Sequence, residues 1–278
     1  MRQIDDQAIK AHAEVRFRSE YHYALFEYYR SAKVIAYLER AGVKVGGRVL
    51  DAGCGGGGMP VSFAEEARLV TGIDLAPRFV DAGGRLRTER GLWNLTFAQA
   101  DGCALPFGNG RFDLVLSHAV IEHVADAARY LAECVRVLVR GGFMYLSTAP
   151  YLSFAGAHLP RLVVPVPLHL LLGRRVAFAT FRWLARHAAW SLREPADENT
   201  FIKSAQRDQA KHDDLLERVR IARLRSLIAE AGLRTVREDL HVTRTFRRAP
   251  GPVARWLRES ALTQDVVVSA VEYVLARD

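Results

Sequence analysis

Between Arg48 and Ser147 short apolar runs alternate with segments of helical period, and this alternation restricts the fold more than any other property of the chain. Arg48–Asp51, Leu69–Asp74, Leu95–Ala100, Phe112–Ser117 and Gly142–Ser147 have the length and apolar density of buried strands. Pro60–Arg68, Pro77–Arg90 and Ala125–Leu138 read as helices, Pro60 suiting a first turn. Strands separated by helices build a parallel sheet, because each parallel neighbour needs a crossover, and right-handed crossovers cover both faces. The predicted fold is therefore α/β, a Rossmann-like doubly wound sheet that binds its ligand outside the carboxyl ends of the strands.

Both flanks add to this unit. Residues 12–41 read as one helix, with Tyr21, Leu25, Tyr28, Ala32, Ile35 and Leu38 at spacings of three and four and Gly42 as its stop. From Tyr151 to about Lys211 the βα pattern breaks, because Pro160, Pro165, Pro167 and Pro195 interrupt apolar and arginine-rich segments; this stretch is read as an inserted helical cap. Ala222–Ala231 returns to helix, and Leu233–Val242 and Val266–Leu275 form a closing antiparallel hairpin of an otherwise mostly parallel sheet. The expected organisation is a helical segment over 1–45, a binding core over 46–150, a cap that builds an acceptor pocket over 151–211, and completion of the core sheet over 212–278.

Chemistry concentrates in Val49-Leu50-Asp51-Ala52-Gly53-Cys54-Gly55-Gly56-Gly57-Gly58, between a strand and a helix. Glycines there let the backbone turn sharply and approach a ligand where a Cβ would collide. Such a loop also serves nicotinamide and flavin cofactors, but Asp51 would sit badly against a pyrophosphate and suits a ligand with an ammonium group. Asp74 ends the second strand, about twenty residues after the loop, where a carboxylate accepts from both ribose hydroxyls. Asp101 ends the third, placed to accept from an adenine amino group. Acidic groups at three successive strand ends argue for one nucleoside-shaped crevice.

These residues resemble the class I methyltransferases, particularly the small-molecule, ubiquinone-type (methyltransferase domain 11-like) branch. The matching stretches are Val49–Gly55, Gly72-Ile73-Asp74-Leu75, Ala100–Phe107, Phe112–Val115, Glu122-His123-Val124 and Glu133–Gly142, in the family's order over residues 48–150. The resemblance implies S-adenosyl-L-methionine as cofactor and S-adenosyl-L-homocysteine as product. It puts Gly53 and Gly55 against the methionine part, Asp51 near the ammonium, Asp74 on the ribose, Asp101 on the adenine and the Ser117 region beside the amino acid group. Cys54, Leu75, Gly102 and Cys103 complete the expected cofactor-binding set. The aromatic helix with Tyr23, Phe26 and Tyr29 either closes over the cofactor or packs in the core.

Candidate catalytic groups lie in Ser117-His118-Ala119-Val120-Ile121-Glu122-His123, at the mouth of the sheet. A histidine takes a proton from a hydroxyl near neutral pH; His123 is the first candidate and His118 the second, although methyl transfer from a sulfonium chiefly needs a nucleophile held in line. Some relatives bind a metal through Glu-x-x-Glu-His here, but Ala119 replaces the first ligand and no metal is expected. The expected reaction is methylation of a small-molecule acceptor, foremost a hydroxyl of a natural product, sugar or lipid-linked glycan. N- or C-methylation and an RNA or protein acceptor are the alternatives, and a nicotinamide oxidoreductase or a non-enzymatic cofactor binder are remoter ones.

The formal charge of +8 admits nucleic acid or an anionic surface. No dense basic run alternates with aromatics, and neither an Asn/Asp-Pro-Pro-aromatic tetrapeptide nor a Pro-Cys step follows the fourth strand, so no nucleic-acid partner is expected. The apolar stretch Leu159–Leu172, flanked by Arg161, Arg174 and Arg175 and followed by Phe178, Phe181 and Trp183, is too short and proline-broken to span a bilayer. It packs within the cap, lines a greasy pocket, or makes a peripheral membrane contact over 159–183. Cys54, Cys103 and Cys134 form no metal or disulfide pattern, and the N-terminus has no apolar signal core, so a cytoplasmic and at most membrane-peripheral monomer or homodimer is expected.

Overall fold

The computed structural model describes residues 4–153, 159, 162–163, 168–193, 199–208, 219–243, 251–260 and 263–278. Two compact units emerge: Met1–Thr148 with Arg225–Asp239 and Glu272–Asp278, and Ala149–Leu224 with Leu240–Val271.

The first unit is built on helices α1 (Asp6–Val15) and α2 (Glu20–Arg40), strand β1 (Arg48–Ala52), α3 (Gly58–Ala64), β2 (Leu69–Asp74), α4 (Ala82–Glu89), β3 (Leu95–Gln99), β4 (Phe112–His118), α5 (Ala127–Val137) and β5 (Leu138–Thr148). The single helix expected over 12–41 is two. Ser19 takes an extended conformation and its side chain accepts from the His22 N–H, so α2 starts on its own cap and residues 16–19 leave the helix. At the other end Gly42, at φ +81°, lets the Val43 N–H donate to the Leu38 carbonyl at 3.0 Å, closing the helix where the sequence placed the stop.

Strand order in the seven-stranded sheet is β3-β2-β1-β4-β5-β7-β6, with β6 spanning Leu233–Val242 and β7 spanning Val268–Arg277. The five strands β1 to β5 pair in parallel and the C-terminal strands are antiparallel, giving the doubly wound mixed sheet that the alternation predicts. Central strand β1 is buried on both faces, with Val49 and Leu50 inaccessible, as a parallel strand between helical layers must be. Its first residue is fixed by Asp113 of β4, which accepts from the Arg48 N–H at 2.7 Å and pairs with the guanidinium at 2.9 Å. Strand β5 begins four residues before the expected Gly142, directly after α5, and its register against β4 shifts between Phe112 and Leu114.

In the second unit lie α6 (Leu168–Leu172), α7 (Arg174–His187), α8 (Thr200–Gln206), the first residues of α9 (Ile221–Glu230), α10 (Gly251–Glu259) and α11 (Gln264–Val267). Phe178, Phe181 and Ala185 of α7 form a local core with Leu192, Ile202 and Ala205. The prolines that break the pattern, Pro160, Pro165, Pro167 and Pro195, and Arg161 lie outside the described residues. No helix among the described residues is long and apolar enough to cross a membrane.

Candidate active site

The loop after β1 is tied to the end of β2. Gly53 and Cys54 both donate their N–H to the Ile73 carbonyl, at 2.8 and 2.7 Å. One residue on, the Gly55 N–H donates to the Asp74 carboxylate at 2.8 Å, and the other carboxylate oxygen accepts from the Ala76 N–H at 2.9 Å. Gly53 and Gly55 have φ of +111° and +53°, the left-handed region that β-carbons resist. A Cβ on Gly53 would stand 2.4 Å from Val120, whereas nothing lies within 4 Å of one on Gly55, which faces open space. On the helix side, α2 presses so closely on α3 that a Cβ on Gly58 would meet the Ala24 carbonyl oxygen at 2.0 Å.

That approach carries charged side chains of α2 toward the loop. Glu27 and Arg30 pair at 3.3 Å, and the Arg30 Nε is buried with no hydrogen-bond partner. Burial raises the Glu27 carboxyl pKa, with Arg30 and Arg78 opposing the shift. Asp51, itself buried in β1, is pushed well above the usual carboxylate range by desolvation, then by Glu27 and Asp74. The negative charge of Glu27, together with burial, moves the Tyr23 hydroxyl up to about 12, and burial followed by Asp51, Asp74 and Glu27 raises the Cys54 thiol. Glu27 and Asp74 thus add to burial in making ionisation of Asp51 harder, an arrangement that a cationic ligand relieves.

Strands β2 and β3 end side by side. Asp74 is paired in register with Gln99 of β3, two residues before Asp101, and the Ala100 N–H donates to the Asp74 carbonyl at 3.1 Å. Asp101 is exposed and accepts from the Cys103 N–H at 2.8 Å in a tight turn. Gly102 is pressed against Tyr130, whose ring would be 2.7 Å from a Cβ there; Leu75 is exposed, and Cys103 is buried. Ser117 is wholly buried and its hydroxyl is engaged at 2.8 Å by Tyr130, which also reaches the Ala52 carbonyl at 2.9 Å. Tyr130 of α5 therefore locks the tips of β1 and β4 together.

Past Ser117 the two histidines differ in surroundings. His118 closes β4 opposite Ser147, and burial, reinforced by the Arg30 charge, holds its pKa well below 6.5, so the ring is neutral at neutral pH. The Tyr145 hydroxyl donates to Glu272 Oε1 at 2.6 Å and lies 3.4 Å from His118 Nδ1. Burial, then Glu272, keeps that phenol protonated. With the phenol proton committed to the carboxylate, its oxygen is left to accept from Nδ1–H, which leaves the lone pair on Nε2. Ala119 follows at φ +54°, a strained conformation for a residue with a Cβ, so the chain leaves β4 by a sharp turn. In that turn Glu122 is buried and accepts from the Thr148 hydroxyl at 2.8 Å, while the His123 N–H donates to the Val120 carbonyl. Among the described residues no three of His, Cys, Asp and Glu cluster as a metal ligand set.

Sequence reasoning did not single out Glu27, Arg30, Tyr130, Tyr145 or Glu272. The Glu27–Arg30 pair had a signal, two charges three residues apart in a helix otherwise read by its apolar stripe.

Residues 50–146 match the methyltransferase domain family. The ubiquinone biosynthesis O-methyltransferase of Cereibacter sphaeroides is 39% identical over 101 residues, 36% of this chain and 40% of that protein. The Coxiella burnetii enzyme of the same name is 30% identical over 114 residues, 41% of this chain and 48% of that protein. The chain thus spans less than half the length of these curated relatives. Among solved structures, an S-adenosylmethionine dependent methyltransferase from Mesorhizobium loti superposes with a TM-score of 0.53 at 20% identity, covering 87% of this chain and 96% of that one. The (4+2)-cyclase SpnF gives 0.50 at 20% identity, covering 88% and 79%. Likeness at that identity speaks for the fold, and the cyclase illustrates that this fold hosts more than one chemistry. Glycine loop, acidic strand ends, sheet order and the matched segment over residues 50–146 together support a class I S-adenosylmethionine-dependent methyltransferase domain.

Proposed function

We propose that the protein transfers a methyl group from S-adenosylmethionine to the hydroxyl of a small-molecule acceptor. The reading is carried by His118, a neutral imidazole at the tip of β4 whose Nδ1 side faces the Tyr145–Glu272 pair.

The residues present fit the cofactor. Gly55 offers space, the buried Arg30 Nε lacks a partner, and Glu27 and Asp51 are carboxyl groups whose ionisation burial resists and a cationic ligand would favour, beside Asp74. A ligand bearing a carboxylate, an ammonium and a sulfonium satisfies all of these at once. In this reading Arg30 takes the carboxylate, Asp51 and Glu27 the ammonium, Asp74 the ribose hydroxyls and Asp101 the adenine amino group. Bound S-adenosylmethionine supplies an electrophilic methyl on a positively charged sulfur. The chain has to exclude water, align the acceptor oxygen and take up its proton. The acceptor oxygen would take the methyl group as its bond to the sulfonium breaks and a neutral thioether is left, while the hydroxyl proton would pass to His118 Nε2 and from there to solvent. Its lowered pKa keeps the imidazole unprotonated and free to accept at neutral pH, at the cost of weaker proton uptake than an ordinary histidine gives.

The curated relatives' O-methylating activity supports oxygen as the accepting atom, and a natural product, sugar or lipid-linked glycan is the proposed acceptor class. The test is calorimetry with S-adenosylhomocysteine and NADH, followed by methyl transfer from labelled S-adenosylmethionine to a panel of phenols, sugars and amines. Binding of the homocysteine product with methylation of hydroxyl members supports the proposal. Tight NADH binding alone, or transfer only to amines, removes it.

A further inference from the structure

Charge is divided unevenly along this chain. The first compact unit balances its Lys and Arg against its Asp and Glu, whereas the second holds seventeen of the former against nine of the latter, so the whole excess of +8 belongs to the second. Among the described residues, eight of the fourteen large exposed apolar side chains lie in the same unit, five of them between Leu171 and Trp190. Helix α7 buries Ala177, Phe178, Phe181 and Ala185, yet Val176 and Trp183, two turns apart on its other side, are 52% and 58% exposed. Leu171 and Leu172 just before it and Trp190 just after it are exposed as well. A helix apolar on both sides is not completed by water.

The surrounding charges have one sign. From Leu168 to Arg193 the sequence holds five arginines and no Asp or Glu, with Arg175 and Arg193 exposed. Asp208 pairs with Arg182 and Arg186 and so fixes two of these guanidinium groups at the helix flank. Helix α10 of the same unit repeats the combination, exposing Val253, Arg255 and Trp256.

We propose that the α6–α7 surface of the second unit, centred on Trp183, docks on the interfacial zone of an anionic lipid bilayer. Tryptophan prefers the headgroup level, exposed Leu and Val gain only from hydrocarbon, and basic residues are drawn to anionic headgroups. At 14 residues α7 reaches about 21 Å, too short to span a bilayer and suited to lying in its plane. A nucleic acid would use the arginines and tryptophans but leaves Leu171, Leu172 and Val176 in water. A second copy of the chain would set like charge against like charge.

The full-length protein is incubated with phosphatidylcholine vesicles, alone and mixed with phosphatidylglycerol, and binding is read by co-sedimentation and by the blue shift of tryptophan fluorescence. Binding to the mixed vesicles is expected, weakened roughly tenfold by molar salt. Trp183→Ala and Arg175→Glu should each weaken it about fivefold or more, with cofactor binding and thermal unfolding unchanged, and Leu171→Asp provides a third variant should either misfold. Equal binding to neutral vesicles, or binding indifferent to all three substitutions, overturns the proposal. So does retention on an RNA oligomer without vesicle binding, or a dimer that Trp183→Ala dissolves in a protein that ignores vesicles.

Discussion

The two units differ in how tightly their parts determine one another. In the first, five parallel strands share a fixed register, a neutral charge balance and helices pressed onto the sheet; in the second, short helices enclose a small core and leave tryptophans in water. A sheet propagates each constraint to its neighbours, so one atom in the wrong place is felt at the site. The contact of Gly58 with the Ala24 backbone tests this most severely. Gly58→Ala places a methyl group inside a carbonyl oxygen that belongs to a 21-residue helix and cannot rotate away. The expected loss is about 3 kcal/mol, as for overpacking of a tight contact, read by urea unfolding, with cofactor affinity falling because Glu27 and Arg30 move with α2. Trp183→Ala in the second unit should change neither quantity; a tolerated Gly58→Ala would erase the contrast between the units.

Next in size is the effect on catalysis. His118→Asn should lower kcat by about a hundredfold with cofactor affinity intact, the usual cost of losing a general base. His123→Asn should cost about tenfold at most. Equal effects would return the assignment to His123. Because burial and Arg30 hold the His118 pKa below 6.5, the base form persists as pH falls, and the acid limb of kcat lies below that value. Arg30→Gln moves the limb upward, toward the ordinary histidine range, by removing a repelling positive charge.

Much of the first unit was legible in the sequence because its signals are local. Buried apolar runs mark β1 to β4, and Asp51, Asp74 and Asp101 stand out because a strand end is a short, countable distance from a glycine. The apolar stripe starts at Tyr21, after the cap, so it carries no information on residues 12–19 and the break at Ser19 left no mark in it. Tyr145 and Glu272 are 127 positions apart and belong to strands whose adjacency no local period announces. In the second unit, prolines and two-sided apolar helices leave no single face to read, so spacing could nominate Phe178, Phe181 and Trp183 together without telling that two turn inward and one outward.

Asp51 separates stability from function within the first unit. Its carboxyl pKa is raised by burial, so the native state holds a proton that the unfolded chain has lost. Stability conferred by that proton is present in acid and is lost as pH rises from the unfolded carboxyl value through the folded one. Asp51→Asn removes this slope. At neutral pH the ligand-free variant should melt a few degrees higher, while binding S-adenosylhomocysteine about tenfold more weakly, by scanning calorimetry and titration. A variant that loses stability at pH 7 would mean that Asp51 is held by partners rather than strained.

The smallest expected effect falls on Tyr145, which touches no reactant and acts through His118. Its hydroxyl proton goes to Glu272 at 2.6 Å, which turns its oxygen toward Nδ1 of the histidine as an acceptor. At 3.4 Å that second bond is long, so it biases the tautomer without clamping it. Tyr145→Phe keeps the ring parallel to the imidazole and removes the bias alone. About a fivefold fall in kcat with KM unchanged is expected, because the wrong tautomer, with its proton on Nε2, then competes for the site. Glu272→Gln should reproduce part of this loss, since the amide holds the phenol proton less firmly. If Tyr145→Phe instead raised KM at constant kcat, the hydroxyl would be binding the acceptor. The long bond to His118 would then be a by-product of packing rather than part of the reaction.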